Sequence, residues 1–161
     1  MIDKEEEFVK NVNIDKAKNQ TNLPILLISI SILTYVIPLF WGEFDFGIIF
    51  EIASLVILLI ARNFMSSYNE IWSKRFVVCA IFLIVWILVY DILFLFSYME
   101  SIYDLFIISY IYIFREMILI LYVIMLFRVN RSLSKADNPA KYKESTDWFY
   151  EQYEKNRKQK H

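Results

Sequence analysis

Apolar side chains fall in four long runs separated by short polar stretches. A helix needs about 20 apolar residues to cross roughly 30 Å of hydrocarbon at 1.5 Å per residue. Four segments meet or approach that length: 23–41 (LPILLISISILTYVIPLFW), 46–61 (FGIIFEIASLVILLIA), 76–97 (FVVCAIFLIVWILVYDILFLFS) and 105–127 (LFIISYIYIFREMILILYVIMLF). The second is the shortest, with 16 residues, and Phe64 and Met65 lengthen it while Arg62 snorkels. Pro24 suits the first turn of the first span, where its missing N–H would be unpaired anyway. Pro38 frees the carbonyl of Thr34 and is expected to kink the outer third of that span, either as a hinge or to fit around a neighbour. The pattern predicts an all-α integral membrane protein with a four-transmembrane-helix bundle over 23–127. A polar tail, 1–22, precedes it and a helical tail, 128–161, follows.

The basic residues orient these spans, because Lys and Arg are retained on the cytoplasmic side during insertion. Lys4, Lys10, Lys16 and Lys18 lie in the N-terminal tail, Arg62, Lys74 and Arg75 between the second and third spans, and nine more from Arg128 to Lys160 in the C-terminal tail. The loops at 42–45 and 98–104 carry none, only Glu43, Asp45, Glu100 and Asp104. Every basic residue outside a span therefore falls on one side, which predicts cytoplasmic termini and two short acidic outer loops. The acidic stretch Lys4-Glu5-Glu6-Glu7 ahead of the first span, with no small-residue cleavage site, favours an uncleaved anchor over a signal peptide.

The two tails differ in what they predict. Residues 1–22 are polar with scattered apolar positions at Ile2, Phe8, Val9, Val12 and Ile14, compatible with a weak surface helix or a solvated tail. Beyond the fourth span, helix is expected to run on through Arg128 and Arg131 towards Ala136, with a break and restart at Asn138-Pro139. Tyr142, Phe149 and Tyr153 then share one helical face, with Trp148 beside them, which predicts an amphipathic cytoplasmic helix. Three roles fit that helix: lying on the inner leaflet, packing on the 62–75 loop, or docking a partner.

Composition agrees with membrane burial and removes most chemistry. The chain is 58% hydrophobic and 18% aromatic, against roughly 45 to 50% apolar in soluble proteins. Seventeen Lys and Arg balance eighteen Asp and Glu, so a basic nucleic-acid binder is not expected. One cysteine permits neither an internal disulfide nor a multi-cysteine metal site, and Cys79 is expected as a packing residue. The one histidine is His161, and no glycine-rich phosphate loop or Ser/His arrangement appears. No cofactor, metal or enzymatic activity is expected. Without a Gly-x-x-x-Gly pattern, the helices are expected to pack through larger side chains.

Four ionisable residues remain inside the spans: Glu51, Asp91, Arg115 and Glu116. An Asp or Arg at mid-helix costs at least about 2.5 kcal/mol on insertion scales, so these groups are expected to face inward and pair. Glu51 and Asp91 lie about 7.5 and 9 Å below the outer ends of their spans, and Arg115 about 15 Å. The Arg115 side chain leans towards its helix N-terminus and regains roughly 6 Å, which brings the groups to one level. Tyr112, Arg115, Leu119 and Tyr122 share a stripe on the fourth span, and Ser109, Tyr112, Glu116 and Val123 the next one over; Ile84, Ile87, Leu88, Asp91 and Phe94 share one on the third; Gly47, Glu51, Ser54, Leu55 and Leu58 on the second. The expected cluster has Arg115 bridging Asp91 and either Glu51 or Glu116, with tyrosine hydroxyls, Tyr112 among the candidates, satisfying leftover acceptors. Three carboxylates against one guanidinium leave −2 if all are ionised, so at least one acid is expected to hold a proton. Ser29, Ser31, Thr34 and Tyr35 form a separate polar stripe on the first span.

The function expected from these features is that of a small non-enzymatic membrane protein acting through contacts in the bilayer. An accessory subunit and a toxin-immunity-type protein both fit, with a membrane protein or a second copy of the chain as partner. The alternative is an oligomeric ion channel or ion-coupled transporter using the intramembrane carboxylates. Abundant Ile, Lys, Asn, Phe and Tyr suit an AT-rich bacterial genome, so the plasma membrane of a bacterium is the expected location.

Overall fold

The computed structural model describes residues 4–35, 46–98 and 106–139. They form five helices: α1 (Lys4–Gln20), α2 (Asn22–Thr34), α3 (Gly47–Ser66), α4 (Glu70–Tyr98) and α5 (Phe106–Asp137), with no strand among the described residues. Helix α3 and, within α4, Glu70–Leu93 are long and apolar enough to cross a membrane. The 36–45 and 99–105 connections and residues 140–161 lie outside the described residues. So do Pro38, the acidic residues Glu43, Asp45, Glu100 and Asp104, and Tyr142, Trp148, Phe149 and Tyr153, on which the expected kink, acidic loops and amphipathic helix rest.

Helices α1 and α2 follow one another almost without interruption. The Thr21 N–H donates to the carbonyls of Ala17 and Lys18, each at 3.2 Å, and the Thr21 carbonyl accepts from Ile25 N–H at 3.0 Å. Pro24 explains the break between them: it cannot donate to the carbonyl of Gln20, four residues back. The Thr21 hydroxyl donates to the Lys18 carbonyl at 2.6 Å and satisfies part of that turn.

The 67–69 turn joins α3 to α4 through a Schellman arrangement. Asn69 N–H reaches the Phe64 carbonyl at 3.0 Å and Tyr68 N–H the Met65 carbonyl at 3.1 Å. Tyr68 takes the left-handed conformation at φ 52°, a position glycine would fill without strain. Asn69 then caps α4 by accepting from Trp72 N–H on Oδ1 at 3.3 Å.

Helices α3 and α4 pack side by side, while α5 packs against α1, α2 and α4. The core runs the length of this bundle, through Ile28, Leu58, Met65, Ile84, Leu119, Tyr122 and Leu126 to Val129, Leu133 and Ala136. The N-terminal segment is part of it. Val9, Asn13, Ile14 and Ala17 are buried, so α1 is a packed helix and not a solvated tail. The α5 helix does run past Arg128 to Asp137, and its last turns hold α1. The Ser132 hydroxyl donates to Gln20 Oε1 at 2.8 Å. Lys10 pairs with Glu70 at 2.7 Å and Lys74 with Asp137 at 2.9 Å, closing the same end of the molecule.

The opposite sides of these helices are apolar and exposed. Leu26 and Leu33 on α2, Ile49 and Val56 on α3, Phe82 and Trp86 on α4, and Phe114 and Phe127 on α5 all face outward. Cys79 is exposed as well, which corrects its expected packing role. Val77, Ala80, Ile81 and Ile84 make the buried stripe of α4, and Cys79 falls about 100° round the helix from Ala80.

Candidate functional site

Charged residues at mid-helix meet at the point where α2, α3, α4 and α5 converge. Glu51 lies one turn above Ser54 and two above Leu58, all three buried on the inward stripe of α3. Asp91 continues the buried stripe of Ile84 and Ile87 on α4, and Arg115 that of Leu119 and Tyr122 on α5. Each charge thus occupies a position that the local periodicity already turns inward.

The ionic half of the cluster is built around Arg115, which is 2% exposed. Its Nη2 donates to Asp91 Oδ2 at 2.7 Å and to Glu116 Oε1 at 3.1 Å, and its Nε also donates to Glu116 Oε1, at 3.3 Å. The guanidinium carbon lies over two aromatic rings, 4.9 Å from the centroid of Tyr35 and 4.8 Å from that of Tyr112. Carboxylate acceptors together with π-faces satisfy a buried Arg through several contacts at once.

Glu51 belongs to the other half. It is fully buried, and its Oε1 accepts from the Tyr35 hydroxyl at 3.0 Å. Of the two expected bridges from Arg115, the geometry contains the one to Glu116. Glu51 is linked to the guanidinium through Tyr35, whose hydroxyl holds the carboxyl while its ring carries the cation. The polar stripe on the first span is therefore not separate: Tyr35 and Ser31 are its buried members and both lie against the Glu51 carboxyl.

A second polar contact sits one turn deeper. The Ser54 and Tyr122 hydroxyls are 3.0 Å apart, and Ser54 also donates to the Ala80 carbonyl at 3.4 Å, tying α3 to both α4 and α5. Tyr35, Ser54 and Tyr122 were not among the expected site residues, although all three lay on stripes visible in the sequence. A hydroxyl-bearing residue on the same stripe as a buried charge was the available signal.

Chemically, the cluster can hold charge, clamp helices and exchange a proton. Among the described residues no three His, Cys, Asp or Glu side chains converge as a metal site requires. Three buried oxygens of the cluster have no hydrogen-bond partner: Ser31 Oγ, Glu51 Oε2 and Glu116 Oε2. No family model, no curated protein and no solved structure matches this chain.

Proposed function

We propose that the chain is a four-span membrane protein with both termini in the cytoplasm, working through side-chain contacts in the bilayer. An accessory subunit of a larger assembly and an immunity-type protein that shields its membrane are the two forms this takes. The observation that carries the proposal is the division of surfaces. Apolar side chains cover the outward faces of α2, α3, α4 and α5, whereas Glu51, Asp91 and Arg115 are buried between those helices. The exposed belt begins at Leu23 on α2 and ends at Phe127 on α5, residues brought to one level by the nearby Gln20–Ser132 contact. Arg62, Lys74, Arg75 and Arg128 border that end, and α1 lies beyond it. From Phe127 to Tyr110 the exposed face of α5 is about 25 Å long, close to the thickness of the hydrocarbon core. What the protein presents to its surroundings within that band is shape and apolar surface. The ionic cluster acts inside the chain, fixing which helices meet and in what register.

A pull-down from native membranes in mild detergent tests this directly. A stoichiometric membrane partner is the supporting result. Recovery of the chain alone, together with ion flux in proteoliposomes, would overturn it in favour of a channel or ion-coupled carrier. The unpartnered Glu51 Oε2 favours that second reading, since an unmatched acid at this depth is how carriers hold protons and ions.

A further inference from the structure

Glu51 is the acid of the cluster that the described ion pairs of Arg115 do not include, although the guanidinium is close enough to act on it through space. Arg115 faces it from α5 but is engaged with Asp91 and Glu116, and no ion pair joins Arg115 to Glu51 among the described contacts. Asp91 on α4 contributes a further negative charge, while Tyr122 on α5 and Tyr35 on α2 are the other titratable groups facing it. Of the Glu51 oxygens, Oε1 accepts from Tyr35 at 3.0 Å, whereas Oε2 is buried and unpartnered. The neighbouring Ser31 Oγ, on a residue 0% exposed, is likewise buried and unpartnered. Two adjacent oxygens, each lacking a partner, are satisfied by one hydrogen between them, either the one Ser31 already carries or a proton added to Glu51, and the charge balance of the cluster decides between the two. A carboxylate left in this position would be the third buried negative charge around one guanidinium that already pairs with Asp91 and Glu116, an imbalance folded chains avoid.

We propose that Glu51, Ser31 and Tyr35 form a proton-binding site where α2 meets α3. The proton sits on Glu51 Oε2 and is donated to Ser31 Oγ, while Glu51 Oε1 accepts from the Tyr35 hydroxyl. The Ser31 hydroxyl hydrogen remains free to turn towards a carbonyl of its own helix, as serine commonly does within a helix. No covalent bond changes, and the site exchanges one proton with its surroundings. Asp91 and Glu116 share the charge of Arg115 and stay outside it. The site rests on burial and hydrogen bonding within one chain and is independent of whether a membrane partner exists.

Infrared spectroscopy of the full chain in lipid vesicles at neutral pH tests the assignment. A protonated-carboxyl C=O stretching band that moves in D2O is expected in the wild type, lost in Glu51→Gln and kept in Glu116→Gln. Ser31→Ala should retain the band but shift it to higher frequency, because the acid has lost its acceptor. That variant removes one oxygen and keeps the test decisive if Glu51→Gln does not fold. The proposal is overturned if the wild type has no such band, if Glu51→Gln leaves it unchanged, or if Ser31→Ala leaves its frequency unmoved. An ionised Glu51 that accepts from the Ser31 hydroxyl, directly or through water, gives the first of these results.

Discussion

Arg115 Nη2 lies 2.7 Å from Asp91 Oδ2, joining α5 to α4 across 24 residues of sequence through side chains that are 3% and 11% exposed. Removing one partner strands the other in a site with little water. Asp91→Ala and Arg115→Leu are each expected to destabilise the fold by about 3 to 5 kcal/mol. Exchanging the two residues should recover part of that loss, because the pair is restored across the same helix contact. Thermal unfolding followed by circular dichroism in detergent measures both effects. Single variants that melt at the wild-type temperature would remove the structural role of this pair.

The Ser54–Tyr122 contact is neutral, and a smaller effect is expected. Hydrogen bonds between helices in a bilayer contribute about 0.6 kcal/mol on average and up to about 1.7. Tyr122→Phe should cost about 1 kcal/mol. The double variant with Ser54→Ala should cost less than the two single losses added together, since both remove the same bond. Strict additivity in that cycle would mean that the hydroxyls do not interact.

The inward position of each charge was legible from single-helix periodicity. Glu51 repeats with Ser54 and Leu58, Asp91 with Ile84 and Ile87, and Arg115 with Leu119 and Tyr122, and all nine are buried. Which neighbour each charge meets was not legible, because a stripe gives a direction around one helix and no rotation of the next. Tyr35 therefore looked separate from Glu51, although its hydroxyl lies 3.0 Å away. The packing of α1 was hidden for a different reason. Its buried face of Val9, Asn13 and Ala17 includes a polar residue whose side-chain amide donates to the Val9 carbonyl at 2.9 Å. An Asn that satisfies itself within its own helix behaves as a packing residue, which composition does not reveal.

Packing of α1 predicts a measurable cost when its anchor is cut back. Ile14 is fully buried, and Ile14→Ala should lose about 2 to 4 kcal/mol from transfer and cavity terms together. The Lys16 and Lys18 backbone lies within the same helix and should resist trypsin in the wild type. Faster cleavage there in Ile14→Ala than in wild type, by mass spectrometry of timed digests, is the expected outcome. Equal rates would mean that α1 gains no protection from its packing.

Tyr68 offers a change in the opposite direction. It occupies a left-handed position at φ 52° and is 46% exposed, so its ring supplies less packing than a core residue to offset the backbone strain. Tyr68→Gly should raise stability by about 1 kcal/mol, whereas Tyr68→Val should lower it because a β-branched side chain tolerates this conformation least. Melting temperatures of the two variants, falling on opposite sides of the wild type, are the expected result.

The proposed orientation across a membrane is tested through the one native thiol and three introduced ones. Cys79 is exposed on α4, three residues beyond Phe76, within the apolar surface and about 6 Å along the helix from the basic border at Arg75. A lipid-soluble maleimide should therefore reach it more readily than a charged, membrane-impermeant one. In a Cys79→Ser background, cysteines at Glu43 and Glu100 should label with the impermeant reagent from outside intact cells. A cysteine at Arg131 should label only after the membrane is opened, because that position lies past Phe127 on the side bordered by Arg62, Lys74 and Arg75. Protection of both outer positions, or labelling of Arg131→Cys in intact cells, would reverse the assignment. In either case the asymmetry of the basic residues would need a cause other than their retention during insertion.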